Sequence, residues 1–429
     1  MKKTAKIYYF TLTDEMPRED KLSWFASTKF EDIPFERILP DKNHNWLNIT
    51  DNDFDDLLPL ANKETKLAKS QKEERAVFKL FSNGVVTARD EWVYDYSLEH
   101  LENKIKFLID IYNQDVKKHS TVTQSKVGDV VDYSIKWTRA VKNDLLKGKI
   151  YQIDTSKIVD SLYRPFGKKN LYFSKELNEM QYQLSSIFLS NNIVVAFNFG
   201  TPEFAILASE NIIDYAMLKF GNGSTQSLPL YRYSPNGTRT DNITDWGLNQ
   251  FQTHYQDNTI TKENIFHYTY AVLHHPAYRQ KYALNLKREF PRLPFYADFS
   301  QWVTWGKQLM DLHLNYENVK RYPLKQIDID TNQPNKPKLK ADKQAGKIYL
   351  DTVTTLQSIP SIAWEYQLGN RSALEWILDQ YKEKKPRDKT IAEKFNTYRF
   401  ADYKEHVIDL LKWVCTVSVE TMKIIEEML

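Results

Sequence analysis

The chain has 429 residues, enough for two or three domains of roughly 150 residues each. Its 41% hydrophobic and 27% charged residues exclude a wholly disordered chain, and only 12 glycines argue against collagen-like, propeller and glycine-loop architectures. Lysine and arginine number 59 against 56 aspartates and glutamates, so the net charge of +3 advertises no polyanion partner.

Residues 5–12 (AKIYYFTL) read as a strand whose partners must come from later in the chain or from another polypeptide. Pro17 opens a helix to about Phe25, and the acidic residues just before and within it argue against a signal peptide at MKKTA. Residues 98–116 carry Leu98, Leu101, Ile105, Leu108, Ile109, Tyr112 and Val116 on one helical stripe. A second helix is expected over 133–147. There Trp137, Val141 and Leu145 form the apolar face, while Lys136, Arg139, Asn143 and Lys147 share an arc about 80° wide.

Residues 192–199 and 204–208 form a hairpin, and 228–233 another strand. Thr261 caps a helix to about His275, Pro276 restarts it, and Ser300 caps a further helix. Residues 331–347 have little apolar content and read as an exposed loop or hairpin tip, and the tail from about Ser372 is helical. No stretch reaches the roughly 18 consecutive apolar residues of a membrane span.

Signatures of catalysis are sparse. Asp41 with Glu64 and Lys66 matches the acidic-pair-plus-lysine pattern of magnesium-dependent nucleases, but Lys63–Ser70 is helix-like where that pattern sits on strands. Phe220-Gly221-Asn222-Gly223 lacks the glycine spacing of a nucleotide loop and reads as a turn. His267, His274 and His275 lack a third ligand, and a packed role outweighs a metal site. Cys415, the single cysteine, sits in an apolar run and reads as buried and inert; it excludes an intramolecular disulfide and fits a reducing compartment.

Local basic runs carry more. Residues 132–150 hold Lys136, Arg139, Lys142, Lys147 and Lys149 against Asp132 and Asp144. Residues 163–175 hold Arg164, Lys168, Lys169 and Lys175 with no acid, and 331–347 hold five lysines against Asp342. One such run is ordinarily a solvated face. Three runs, two of them interleaved with aromatics, favour DNA, because lysine and arginine hold phosphates. The candidate DNA contacts are Lys136, Arg139, Lys147, Arg164, Lys168 and Lys169, with Arg139 and Arg164 open to guanine edges instead. Arg89 beside Asp90 is either an ion pair or a DNA contact, and Tyr163 and Phe166 read as core anchors.

Several long segments then resemble the C-terminal specificity region of type ISP restriction–modification enzymes. They are SNGVVTARDEWVYD at 82–95, SLYRPFGKKNLYFSKELNEMQYQ at 161–183, ENIFHYTYAVLHHPAYRQKYALNLKREFPRLPF at 263–295, IPSIAWEYQLGNRSALEW at 359–376 and VCTVSVETMKII at 414–425. The start resembles the last strand and helix of that family's adenine methyltransferase domain. The resemblance implies a mixed α/β (α+β) fold, a β-containing target-recognition domain with a helical C-terminal portion. It implies residual methyltransferase elements at 1–50, a helical connector at 51–160, the target-recognition domain at 161–330 and a C-terminal specificity subdomain at 331–429. The Asn-Pro-Pro-Tyr tetrapeptide that grips a flipped adenine is absent, as are the ATPase and nuclease motifs. The expectation is therefore a cytoplasmic, duplex-DNA-binding chain that is not catalytic alone and has no cofactor or metal of its own, the alternatives being a magnesium-dependent nuclease through Asp41, Glu64 and Lys66 or a protein-interaction module that docks on a methyltransferase chain. S-adenosylmethionine, ATP and magnesium would belong to the complete system, together with any separately encoded methyltransferase/helicase/nuclease polypeptide. The segment 380–400 diverges from the family pattern.

Overall fold

The computed structural model describes residues 5–13, 16–40, 44, 46, 50, 52–119, 127–201, 203–218, 221, 223–330 and 334–429. They fall into two compact units, residues 1–55 and 56–429.

In the first unit the early strand shortens to Ile7–Tyr9. It pairs antiparallel with Glu36–Ile38, so its partner comes from the same chain. Pro17 precedes the helix Arg18–Ser27, whose first turn carries Glu19 and Asp20 where carboxylates oppose the helix dipole favourably. Phe10 stacks on Trp24 with centroids 5.1 Å apart. Otherwise the unit leaves much apolar surface open, including Leu22, Phe25, Phe30 and Leu39.

The second unit is mixed α/β around one continuous core running from Val85 to Val419. The helix Leu98–Lys118 buries the expected stripe except Leu98, which stays exposed in the first turn, and is capped by Ser97, whose hydroxyl accepts from His100 N at 3.3 Å. The second expected helix is shorter than read: it spans only Arg139–Leu146, with Lys136 ahead of it. Asp132 explains the late start. Its carboxylate accepts from Ser134 N at 2.8 Å and its carbonyl from Trp137 Nε1 at 2.8 Å, which holds 132–137 as a turn. The four-residue basic arc therefore loses Lys136.

Three four-stranded sheets follow. The first runs in the order Ile212–Ile213, Ile158–Arg164, Gly167–Tyr172, Tyr94–Asp95, with its first pair parallel. Its central hairpin turns at Phe166, which is buried with φ 55°. The second is antiparallel in the order Ser82–Asn83, Ser224–Pro229, Val194–Phe199, Ile206–Ser209, and contains the expected hairpin.

The third is Lys325–Asp328, Thr354–Gln357, Lys347–Asp351, Pro337–Asp342. Of the two readings of 331–347, exposed loop or hairpin tip, it gives the second: Pro337–Asp342 pairs with Lys347–Asp351 around the turn at 343–346. Leu339 is buried between exposed lysines and Ala341 packs against the core, so composition hides the strand.

Thr261 caps Lys262–Val272 through a capping box with Asn264, and Pro276 starts Pro276–Lys281. The helix Phe299–Leu314 is capped by Asp298 rather than Ser300; the Asp298 carboxylate accepts from Gln301 N at 3.2 Å and from the Ser300 hydroxyl at 2.9 Å. This helix presses its Gly306 against Lys262–Val272, where a Cβ would stand 1.9 Å from the carbonyl oxygen of His267. The tail ends in Phe400–Glu427, whose buried face contains Val407, Leu411, Val414 and Cys415.

Candidate nucleic-acid interface

The six basic candidates divide into two groups. Lys136, Arg139 and Lys147 all face solvent. Arg139 opens its helix after Thr138, while Lys147 closes it, where a cation suits the negative end of the dipole.

Arg164, Lys168 and Lys169 lie on the hairpin 158–172 and are drawn into the fold. Arg164 Nη1 donates to Asp214 Oδ1 at 2.8 Å, and its guanidinium lies 4.0 Å from the Tyr163 ring centroid. Burial pushes the Asp214 carboxyl up to about 6, outweighing the attraction of Arg164. Lys168 pairs with Glu317 and lies 5.0 Å over Tyr316. Lys169 is held between two rings, Tyr163 at 4.3 Å and Tyr96 at 4.6 Å. Burial, with the charges of Arg164 and Lys104, draws its pKa down to about 8.

Lys169 also lines a groove of about 460 Å³. One wall holds Tyr94 and Tyr163 from the first sheet, with Tyr96 just past its edge strand; the other is Arg371, Trp376 and Asp379 followed by the segment 382–386. Seven cationic side chains border this groove against three carboxylates. The far wall is pinned from below. Glu91 accepts from the backbone N–H groups of Arg387 at 2.9 Å and Asp388 at 2.8 Å, and Asp388 accepts from Trp92 Nε1 at 2.8 Å. With its end fixed in this way, the segment keeps Lys382 and Lys385 exposed. Asp379 takes Lys384 at 3.1 Å and Arg371 at 3.5 Å.

Reading the sequence alone passes over this wall. Its signal is present: residues 382–389 hold Lys382, Lys384, Lys385, Arg387 and Lys389 against Glu383 and Asp388. It lies inside the stretch that diverges from the family pattern, and only tertiary packing brings it opposite Lys169.

The competing sites do not assemble. Asp41 lies outside the described residues; Glu64 is exposed, while Lys66 donates to the Phe81 carbonyl at 2.8 Å and covers the Phe81 ring at 4.3 Å. Among the described residues no three histidine, cysteine, aspartate or glutamate side chains gather around a possible metal position. His274 is buried, its Nδ1 donating to Tyr270 O at 2.8 Å, and His275 meets the Tyr296 hydroxyl at 3.2 Å. Gly221 sits in a turn at φ 68°, while Phe220 and Asn222 lie outside the described residues. Burial raises the Cys415 thiol to about 12, which keeps it protonated.

Arg89 follows neither expected course. It is 4% exposed and donates to the Thr138 hydroxyl, whereas Asp90 accepts from Thr87 and Tyr163. It is thus neither paired with Asp90 nor open to DNA. Among the described residues no helix is long and apolar enough to cross a membrane.

This architecture, a mixed α/β unit with a long C-terminal helix and a basic groove beside a β-hairpin, matches known proteins over nearly its whole length. The family model described as the type ISP C-terminal specificity domain matches residues 76–410, and the chain belongs to that family. Among solved structures it is similar to the DrdV–DNA complex determined by cryo-electron microscopy, at 48% identity and TM-score 0.92, covering 98% of this chain and 43% of that one. A nuclease-deletion mutant of the type ISP restriction–modification enzyme LlaGI, in complex with a DNA substrate mimic, matches at 29% identity and TM-score 0.82, covering 99% of this chain and 39% of that one. The ATP-dependent type ISP enzyme LlaBIII bound to DNA matches at 26% and 0.78, covering 92% and 25%. The chain thus spans less than half the length of these relatives. No curated protein matches it.

Proposed function

We propose that this chain is the target-recognition portion of a type ISP restriction–modification system. It binds duplex DNA at a specific sequence and positions an adenine methyltransferase and nuclease carried elsewhere in that system. The observation that carries this reading is the match of 98% of the chain, at TM-score 0.92, to a structure solved as a DNA complex.

In this reading Lys136, Arg139 and Lys147 hold backbone phosphates, since they face solvent with their charge unspent on the core. Lys168 reaches DNA by exchanging Glu317 for a phosphate, and Arg164 acts by holding the hairpin's shape through Asp214. Lys169 meets a phosphate within the groove. The division into 1–50, 51–160, 161–330 and 331–429 belongs to the same proposal, with the hairpin of Lys168 and Lys169 in the recognition segment. Phe25, Phe30 and Leu39, left exposed in residues 1–55, suit docking onto methyltransferase-bearing polypeptide of the same system. Working on DNA, the chain belongs in the cytoplasm; S-adenosylmethionine, ATP and magnesium serve the complete system.

The test is competition. A fluorescent duplex carrying the system's target should resist displacement by unrelated duplex, by roughly 10³-fold or more. Equal displacement by any duplex would contradict sequence-specific recognition.

A further inference from the structure

An ammonium withdrawn from water needs an anion or several acceptors to offset its lost hydration. Lys104, bordering the same groove, has them: Asp95 Oδ2 at 2.8 Å, the Glu91 carbonyl at 2.8 Å and the Tyr94 carbonyl at 2.7 Å. Lys169 has none of these. Among the described residues its Nζ makes no ion pair or hydrogen bond and rests on two aromatic faces alone.

Most of the nearby carboxylates are engaged elsewhere: Asp95 serves Lys104, Asp214 serves Arg164, Asp379 serves Arg371 and Lys384, and Asp90 accepts from the Thr87 and Tyr163 hydroxyls. Asp95 and Asp90 attract the Lys169 ammonium without pairing with it. The Tyr96 hydroxyl, donating to the Gln380 carbonyl at 3.0 Å, ties the two walls together. A second cavity, of about 280 Å³, also reaches Lys169, with the exposed Asp160 in its lining. The lysine is therefore a clamped cation that borders two cavities and has no ion-pair partner among the described residues. Across the larger cavity Lys382 and Lys385, likewise without ion-pair partners among the described residues, stand at the rim.

We infer that this groove is a seat for a phosphate group, with Lys169 as the cation of its floor and Lys382 and Lys385 as those of its rim. A phosphate supplies what the site lacks: negative charge and oxygens that accept from an ammonium. The cavity of about 460 Å³ falls among small-ligand sites of roughly 300–1,000 Å³, so it admits the sugar and base attached to that phosphate. The ring clamp holds the lysine Nζ in place before the anion arrives, which lowers the ordering cost of binding. Two sources share this chemistry, a phosphodiester of bound DNA and a free nucleotide. The first rests on the DNA-recognition reading; the second is independent of it.

The experiment uses the full chain with Lys169→Met, which keeps the apolar stem between the rings, Lys169→Arg, which keeps the charge, and a Lys382→Ala/Lys385→Ala pair. Unfolding curves verify that each variant is folded. One arm titrates inorganic phosphate and a 5′-nucleoside monophosphate by calorimetry. The other follows duplex binding by anisotropy across a salt series.

A duplex-derived phosphate predicts that Lys169→Met lowers the slope of log affinity against log salt by about 0.9, that the rim pair lowers it further, and that Lys169→Arg restores it. A free nucleotide predicts at least a tenfold loss in the calorimetric arm with the duplex arm unchanged. Lys169→Met matching the wild type in both arms overturns the seat, and leaves DNA recognition standing if the duplex still binds. If no duplex binds at all, DNA recognition fails and the calorimetric arm alone decides the seat, with no loss there overturning it.

Discussion

Lys169 shows how one side chain couples stability to binding. Its pKa falls from 10.5 to about 8, chiefly because burial penalises the charged form. Between these values the unfolded chain holds the proton more firmly, so wild-type stability rises with pH across that window. Below pH 8 the full cost of the buried charge is present. Lys169→Met should accordingly melt higher than the wild type at pH 7, with the gap closing towards pH 10.5, as thermal unfolding followed by circular dichroism would show. An unchanged gap across that range would contradict the shifted lysine. In the proposed phosphate seat, binding would run the other way, since a phosphate draws on the charged form.

At the scale of elements, caps and close approaches decide how the helices begin and pack. Asp298, at φ 52°, both caps Phe299–Leu314 and receives the Ser300 hydroxyl, so the two residues are not equivalent. Asp298→Ala should cost about 1 kcal/mol in urea unfolding, whereas Ser300→Ala should stay within about 0.5 kcal/mol. Gly306 is a stricter requirement. With the His267 carbonyl oxygen 1.9 Å from a would-be Cβ, Gly306→Ala must push two packed helices apart. A loss of roughly 1–3 kcal/mol or more is expected, measured by the same unfolding curves, and a neutral result would show that the helices slide freely. These helices are legible from Thr261, Pro276 and the apolar periodicity. The cap at 298 is not, because Asp and Ser two positions apart both suit an N-cap and only backbone geometry chooses between them. In the same way Asp132 trims the helix after it by offering local acceptors, which periodicity does not register.

For the whole molecule, charge placement outweighs net charge. A balance of +3 conceals a groove with seven cations and an outward-facing trio at and around the helix Arg139–Leu146. Replacing Lys136, Arg139 and Lys147 together by alanine should reduce the salt slope of duplex binding by up to about 0.9 for each phosphate no longer held, with little change in melting temperature because all three are exposed. An unchanged slope would remove that surface from the interface.

Periodicity, prolines and caps determined most helices and the hairpin at 194–209, since those depend on neighbours in the chain. Long segment resemblance determined the family, and the scarcity of catalytic motifs the expectation of a recognition role. Tertiary structure alone decided which cations are spent and which are free. Arg164 and Lys168 look no different from Lys169 as letters, yet Asp214 and Glu317, brought in from distant segments, neutralise the first two and leave the third between two rings. The energy of a charge depends on what surrounds it within a few ångströms, and that neighbourhood is assembled only when the chain folds.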